Sequence, residues 1–282
     1  LEEETIFILR EVAAAFERAL ASSELVVPQQ IDLSPPLWEL GHLGWFQERW
    51  IARNVQRQRG ARCDPSQARL PSILSDADRC FDPAEVSHAA RWRVDLPELQ
   101  AARQYLVDTL ETTLELLEAN RKMSNIKDLV LAVLGDMITG HIHEELAEGN
   151  ALSPLEACRW VQSRLRGGID FLLEHSGCKT ITVVTSYGNH GRTTKKPRIA
   201  TAAKHSYEQA MYLNISDHYV GNPRVAFKIE EGYHNWLDIQ GKQVRFHHGD
   251  WIKYQGGVGG ISIPVNKAIN EWNKAKRADY DF

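Results

Sequence analysis

Asp128-Leu129-Val130-Leu131-Ala132-Val133-Leu134-Gly135-Asp136 is an uninterrupted apolar run closed by a Gly-Asp turn. A run of this length without polar alternation predicts a strand buried on both faces, as parallel strands are. The chain on either side of it extends the pattern. A helix is expected through His143 to Glu148, and another opens at Ser153-Pro154 and runs to about His175. Its apolar residues are Leu155, Cys158, Trp160, Val161, Leu165, Ile169, Leu172 and Leu173. Thr180-Ile181-Thr182-Val183-Val184-Thr185 is β-branched and reads as a second strand, ending in Tyr187-Gly188-Asn189-His190-Gly191. A helix around 203–219 precedes strands near 224–230, 235–240 and 242–247. The last of these ends in Phe246-His247-His248-Gly249-Asp250. A glycine-rich loop at 256–260 and a helix at about 264–277 complete the pattern. Alternating strands and helices predict an α/β layered sheet for residues 122–282.

Residues 1–121 read differently. Ile6, Leu9, Val12, Ala13, Phe16 and Leu20 recur at helical spacing. A second helix is predicted from Ser34-Pro35-Pro36 to about Arg59, with serine as cap and proline in the first turn. Residues 60–94, punctuated by proline and aspartate, are expected to be loop. A third helix is expected to open on Asp95-Leu96-Pro97-Glu98 as a capping box, with Leu99, Ala102, Leu106, Leu110, Leu114 and Leu117 on one stripe. Three such helices predict an up-and-down bundle short of its fourth member. The chain as a whole is therefore expected to be α+β.

Charge usage divides the chain at the same place. Residues 1–121 carry 13 arginines, no lysine and 20 acids; residues 122–282 carry twelve lysines, eight arginines and 17 acids. Solvated surfaces do not distinguish lysine from arginine this sharply, so the reading is two coding histories joined near 119–125. A non-catalytic chimera is one outcome of such a joint. The net charge of −4 is too small to imply general attraction to nucleic acid or membrane. Cys63, Cys80, Cys158 and Cys178 are scattered, which predicts a reducing, cytoplasmic setting and no zinc-type pairing. No apolar run is long enough to span a bilayer. Asp279-Tyr280-Asp281-Phe282 reads as the approach to a strand, with the chain expected to be cut at both ends.

Asp136, Asn189 and His248 each stand just past an apolar strand, where open α/β sheets place their sites. Carboxylate, amide and imidazole suit hard or borderline divalent metals. Gly135-Asp136, Gly188-Asn189-His190 and His248-Gly249, in that order, resemble the calcineurin-like metallophosphoesterases, phage-type members in particular. The resemblance covers about 123–282. It implies that Asp136 bridges two metals and that Asn189 and His248 bind the second of them. His190 would contact the phosphoryl group and protonate the leaving oxygen. The implied cofactor is manganese, iron, zinc or magnesium, and the implied substrate a phosphoester. Arg192, Lys195 and Lys196, with Arg198, form a basic loop beside His190 that could hold a phosphate, with nucleic acid the candidate polyanion. The sequence departs from that family in lacking Asp-x-His before Asp136 and Gly-His-x-His after His248, which predicts impaired hydrolysis.

The stretch Ser34 to Asn54, with His42 among Trp38, Trp45 and Phe46, resembles the DinB-like bundle of the ergothioneine and selenoneine synthases. That resemblance covers about 1–121 and implies His42 as one of three ligands to Fe(II), in chemistry that forms C–S or C–Se bonds. The partner His-x-x-x-His pair does not occur, since no two histidines are four apart. The bland alternative for His42 is a boundary histidine hydrogen-bonded to a neighbouring helix. His141 and Glu145, one helical turn apart, read as a solvated helix start. Trp236 and Trp251 read as packing residues.

Overall fold

Proline at the start of a helix and glycine within it decide how the first described element packs. In the computed structural model, residues 34–56, 59, 64, 66–124, 126–142, 150, 152–253 and 262–282 are described. The predicted helix over Ile6–Leu20 and the predicted loop at 256–260 lie outside them. The chain forms two units, Leu1–Ile126 and Lys127–Phe282, and the architecture is α+β. No described helix is long and apolar enough to cross a membrane.

In the first unit, α1 (Pro36–Gln47) carries proline in its first turn and continues into a π-helical turn over Glu48–Ala52. A methyl group at Gly41 would overlap the Phe81 ring, so glycine there lets that ring lie directly on the helix. Trp38, Trp45, Ala77, Cys80, Phe81 and Tyr105 form one buried cluster, and Leu40, Ala102 and Leu106 a second. The segment 60–94, expected to be loop, contributes to the first cluster through α2 (Ala77–Phe81), with a 3-10 turn, His88–Trp92, after it. A five-residue helix is too short to show a period among aspartates and prolines. The expected capping box at Asp95–Glu98 does not form. The chain stays non-helical there, with Leu96 packed on the core, and α3 runs Leu99–Ser124. Along α3, Thr109, Thr112 and Thr113 donate to the carbonyls of Tyr105, Asp108 and Thr109, which satisfies their hydroxyls on the helix itself.

A buried polar network ties the C-terminal end of α1 to the segment 70–78 and to α3. Glu48, 1% exposed, accepts from Ile73 N (2.7 Å), Ser72 Oγ (2.6 Å) and Tyr105 OH (2.7 Å). Arg53 grips Asp78 with two parallel bonds of 2.8 and 2.7 Å, and Trp45 Nε1 donates to the same carboxylate at 2.6 Å. The Arg53 hydrogen bonds, reinforced by Trp45 and by the charges of Arg53 and Arg49, hold the Asp78 carboxyl at about 2 against the cost of burial. A carboxyl depressed on folding stabilises above its ordinary range near 4 and loses that contribution as pH falls towards 2. Because the Asp78 side chain is 41% exposed, solvent screening reduces the effect to about 1 kcal/mol. Urea denaturation at pH 5 and at pH 2.5 is expected to show that loss, and Asp78→Asn to be less stable at pH 5 but to lack this part of the slope.

The second unit packs helices and two three-stranded sheets together. β1 (Asp128–Val133), β2 (Thr180–Thr185) and β3 (Val225–Ile229) form one parallel sheet in the order β1-β2-β3. α4 (Pro154–His175) and α5 (Tyr207–His218) pack on one face, against Val133, Ile181 and Val183. α4 starts with the capping box that Ser153-Pro154 predicts, Ser153 and Glu156 each taking the other's backbone N–H. The opposite face presents Val184 and Val130 to Val244, Phe246, Leu237 and Ile239 of the second sheet. That sheet pairs β4 (Asn235–Ile239) antiparallel with β5 (Lys242–Phe246), and β5 parallel with β6 (Tyr280–Asp281). Asn235 Nδ2 donates to the carbonyls of Thr185 (3.1 Å) and Lys228 (2.6 Å), tying the second sheet to the ends of β2 and β3. Arg245, fully buried, pairs with Asp281 and lies over the rings of Trp236 and Trp272, the latter on α6 (Ser262–Ala275). Trp236 and Trp272 are thus packing partners of a buried cation.

Candidate functional site

Parallel pairing of β1 with β2, with Val133 opposite Thr185, delivers the turns after both strands to the same sheet edge. The turn after β1 holds Gly135 and Asp136 at φ of 90° and 52°. Asp136 is a non-glycine residue in the left-handed region, a costly conformation that concentrates at functional sites. The turn after β2 holds Gly188, Asn189 and His190. A methyl group at Gly188 would overlap both the Asp136 carboxylate and its backbone nitrogen, so the two turns are in direct contact only because this residue is glycine. The turn after β5, in the other sheet, brings His248 to the same place.

The side chains meet closely. His248 Nε2 lies 3.1 Å from Asp136 Oδ2 and 3.2 Å from Asn189 Oδ1. The backbone N–H of His190 donates to Asp136 Oδ1 at 3.0 Å. His248 Nδ1 is 2.7 Å from the Leu134 carbonyl, which can only accept, so Nδ1 carries a proton and Nε2 is the nitrogen aimed at Asp136 and Asn189. The His190 ring is oriented in the same manner, its Nδ1 donating to the Thr139 carbonyl at 2.9 Å.

Charge depends on this geometry. The hydrogen bond to Asp136, helped by the Leu134 carbonyl and opposed by burial, pushes the His248 imidazole up to about 9. Burial pushes the Asp136 carboxyl up, but His248 and the His190 N–H outweigh it and leave the group below its ordinary range. The pair is therefore a carboxylate facing an imidazolium, and a cation of higher charge could take the proton's place between them.

Glu208 had no functional reading in the sequence, where a glutamate in the first turn of a helix is an ordinary companion of the helix dipole. In the structure it is 0% exposed, and its carboxylate accepts from Met137 N (2.5 Å) and Gly188 N (2.6 Å). Burial raises its carboxyl despite those N–H donors. Only the tertiary placement of α5 could reveal this contact.

The basic loop divides. Arg192 turns back on its own segment, donating to the carbonyls of Asn189 (3.1 Å), Thr194 (3.1 Å) and Lys195 (3.3 Å), so it shapes the turn that carries Asn189. Lys195, Lys196 and Arg198 are exposed beside it. His141 is within 6.0 Å of the Tyr207 ring, and its Nδ1 finds no hydrogen-bond partner among the described residues; His143 and Glu145 lie outside them.

His42, in the other unit, stacks between Trp38 and Trp45 at ring distances of 4.5 and 5.5 Å, and its Nδ1 meets the Phe81 carbonyl at 2.9 Å. A family model described as the DinB superfamily matches residues 8–149, half of the chain, with His42 inside the span. The chain belongs to the DinB superfamily. The DinB match runs past the 121 boundary drawn from sequence and past the boundary between the units, taking in β1 and Asp136. No curated protein matches the chain. Among the described residues, no group of three or more His, Cys, Asp or Glu side chains is arranged to hold a metal. His42 belongs to no such group among those residues, whereas Asp136, within the matched span, meets His248 and the amide of Asn189 as three donors.

Proposed function

We propose that the second unit carries a divalent-metal site for phosphoester hydrolysis, in a protein whose first unit is a DinB-superfamily helical domain. The observation that supports this reading is the approach of Asp136 Oδ2 and Asn189 Oδ1 to His248 Nε2, at 3.1 and 3.2 Å. The donor set fits such a cation. His248 is locked by Leu134 in the tautomer that presents Nε2, the arrangement in which a carbonyl orients a ligating imidazole. Asp136 supplies the negative charge, and Asn189 a neutral oxygen that suits manganese, magnesium, iron or zinc. A bound divalent cation supplies a Lewis acid that polarises phosphoryl oxygen and makes a water molecule more acidic.

This chain's own residues do the rest. Asp136 and His248 hold the cation-binding position, and the His190 N–H keeps the carboxylate from rotating away. The His190 ring, fixed by Thr139, is the group placed to protonate the leaving oxygen. Lys195 and Lys196 offer positive charge to the flanking phosphates of a polyanion, with nucleic acid the substrate class this favours.

The full chain with added manganese is expected to cleave bis-p-nitrophenyl phosphate slowly and to stop on addition of EDTA. No cleavage with manganese, magnesium, zinc or iron would remove the hydrolase reading. A second reading rests on the DinB match and on His42, whose Nδ1 is carbonyl-bound as in ligating histidines. The described residues do not complete a ligand set there, and no step is derived through iron. Stoichiometric iron after anaerobic loading, lost in His42→Ala, would shift the chemistry to that domain.

A further inference from the structure

Both ligand-bearing turns at the β1/β2 edge end on one buried side chain from a distant helix. Met137 comes directly after Asp136, and Gly188 directly before Asn189. Their backbone N–H groups donate to the two different oxygens of Glu208, at 2.5 and 2.6 Å. We propose that Glu208 is the positioning residue of this site, a carboxylate clamp that sets the spacing between Asp136 and Asn189. The inference rests on the metal-site reading above and adds to it the group that holds the site in shape.

Four observations carry it. Glu208 has no exposed surface, so its bonds are made away from competing water. Each oxygen serves a different turn, so its two bonds link the turns to each other as well as to α5. The turns have no slack, because Gly188 has no room for a methyl group against Asp136 and Gly191 would meet Glu208 Cγ with one at 2.6 Å. Asp136 also sits in the left-handed region at φ 52°, a conformation that needs the surrounding structure to hold it. An acceptor at both Met137 N and Gly188 N supplies that restraint. Glutamine at 208 would present one N–H₂ donor to a backbone N–H, so one of the two bonds must break while size and shape are kept.

The test uses manganese as probe and the full chain. Free manganese is followed by its EPR signal during titration of wild type, Glu208→Gln and Glu208→Asp. The amide resonances of Met137 and Gly188 are followed by NMR in the absence of metal. Glu208→Gln is expected to weaken manganese binding by about 10- to 100-fold, the range for groups that orient ligands, and to shift at least one of the two amides. Glu208→Asp, still ionised but shorter, is expected to fall between it and wild type, and serves alone if the glutamine variant does not fold. Wild-type manganese affinity in the folded variants, with only a lower melting temperature, would make Glu208 purely structural and overturn the inference. Wild type that binds no manganese would overturn the metal-site reading, and the inference with it, a result distinct from the first.

Discussion

Asp136→Asn is expected to abolish manganese-dependent cleavage of bis-p-nitrophenyl phosphate and to weaken manganese binding by more than about 100-fold, beyond the effect of losing a group that only orients a ligand. Shape changes little in this replacement, and charge changes by a whole unit. The carboxylate takes the His190 N–H on one oxygen at 3.0 Å and faces His248 Nε2 with the other at 3.1 Å. An asparagine can keep one of these as an acceptor and must offer N–H₂ at the other. It can neither neutralise a divalent cation nor stabilise the His248 imidazolium. The fold is expected to survive, because the β1 core residues Leu129, Leu131 and Val133 are untouched. Cleavage retained in the variant would show that the hydrolysis comes from elsewhere.

Glu48→Ala is expected to cost about 3–5 kcal/mol of stability, the range for breaking a buried charge network by removing one partner. The side chain serves Ile73, Ser72 and Tyr105 at 2.6 to 2.7 Å and lies 3.8 Å from Arg53. Its removal takes the acceptor from the buried Tyr105 hydroxyl and from the part-buried Ser72 hydroxyl and Ile73 N–H, and leaves Arg53 with Asp78 as its remaining carboxylate. Glu48→Gln keeps the size and some of the acceptors, and should cost less. A urea midpoint for Glu48→Ala close to that of wild type would mean that the network is ornamental to the DinB-superfamily domain.

How much can be read from residues depends on how locally each feature is encoded. Strands at Asp128–Val133 and Thr180–Thr185 are visible because an apolar or β-branched run stops at a glycine turn, and that same turn names Asp136, Asn189 and His190. The helix at Pro154–His175 announces itself through Ser153, Pro154 and Glu156 within four positions. By contrast, Ala77, Cys80 and Phe81 are core residues in a segment whose composition reads as loop, since burial there depends on α1 and α3 rather than on neighbours in sequence. Asp95 and Glu98 have the letters of a capping box without its geometry. Arg192 resembles a phosphate ligand by position, yet its guanidinium bonds its own loop. Glu208 is the clearest omission, because a role made by two backbone N–H groups, 71 and 20 residues away, leaves no local mark.

The chain belongs to the DinB superfamily, and the cation position we propose is the meeting point of Asp136, Asn189 and His248. Diffraction at the manganese edge from crystals soaked in manganese tests that most directly. An anomalous peak bonded to Asp136, Asn189 and His248 is the predicted result. A peak beside His42, or none within reach of the three turns, would contradict it.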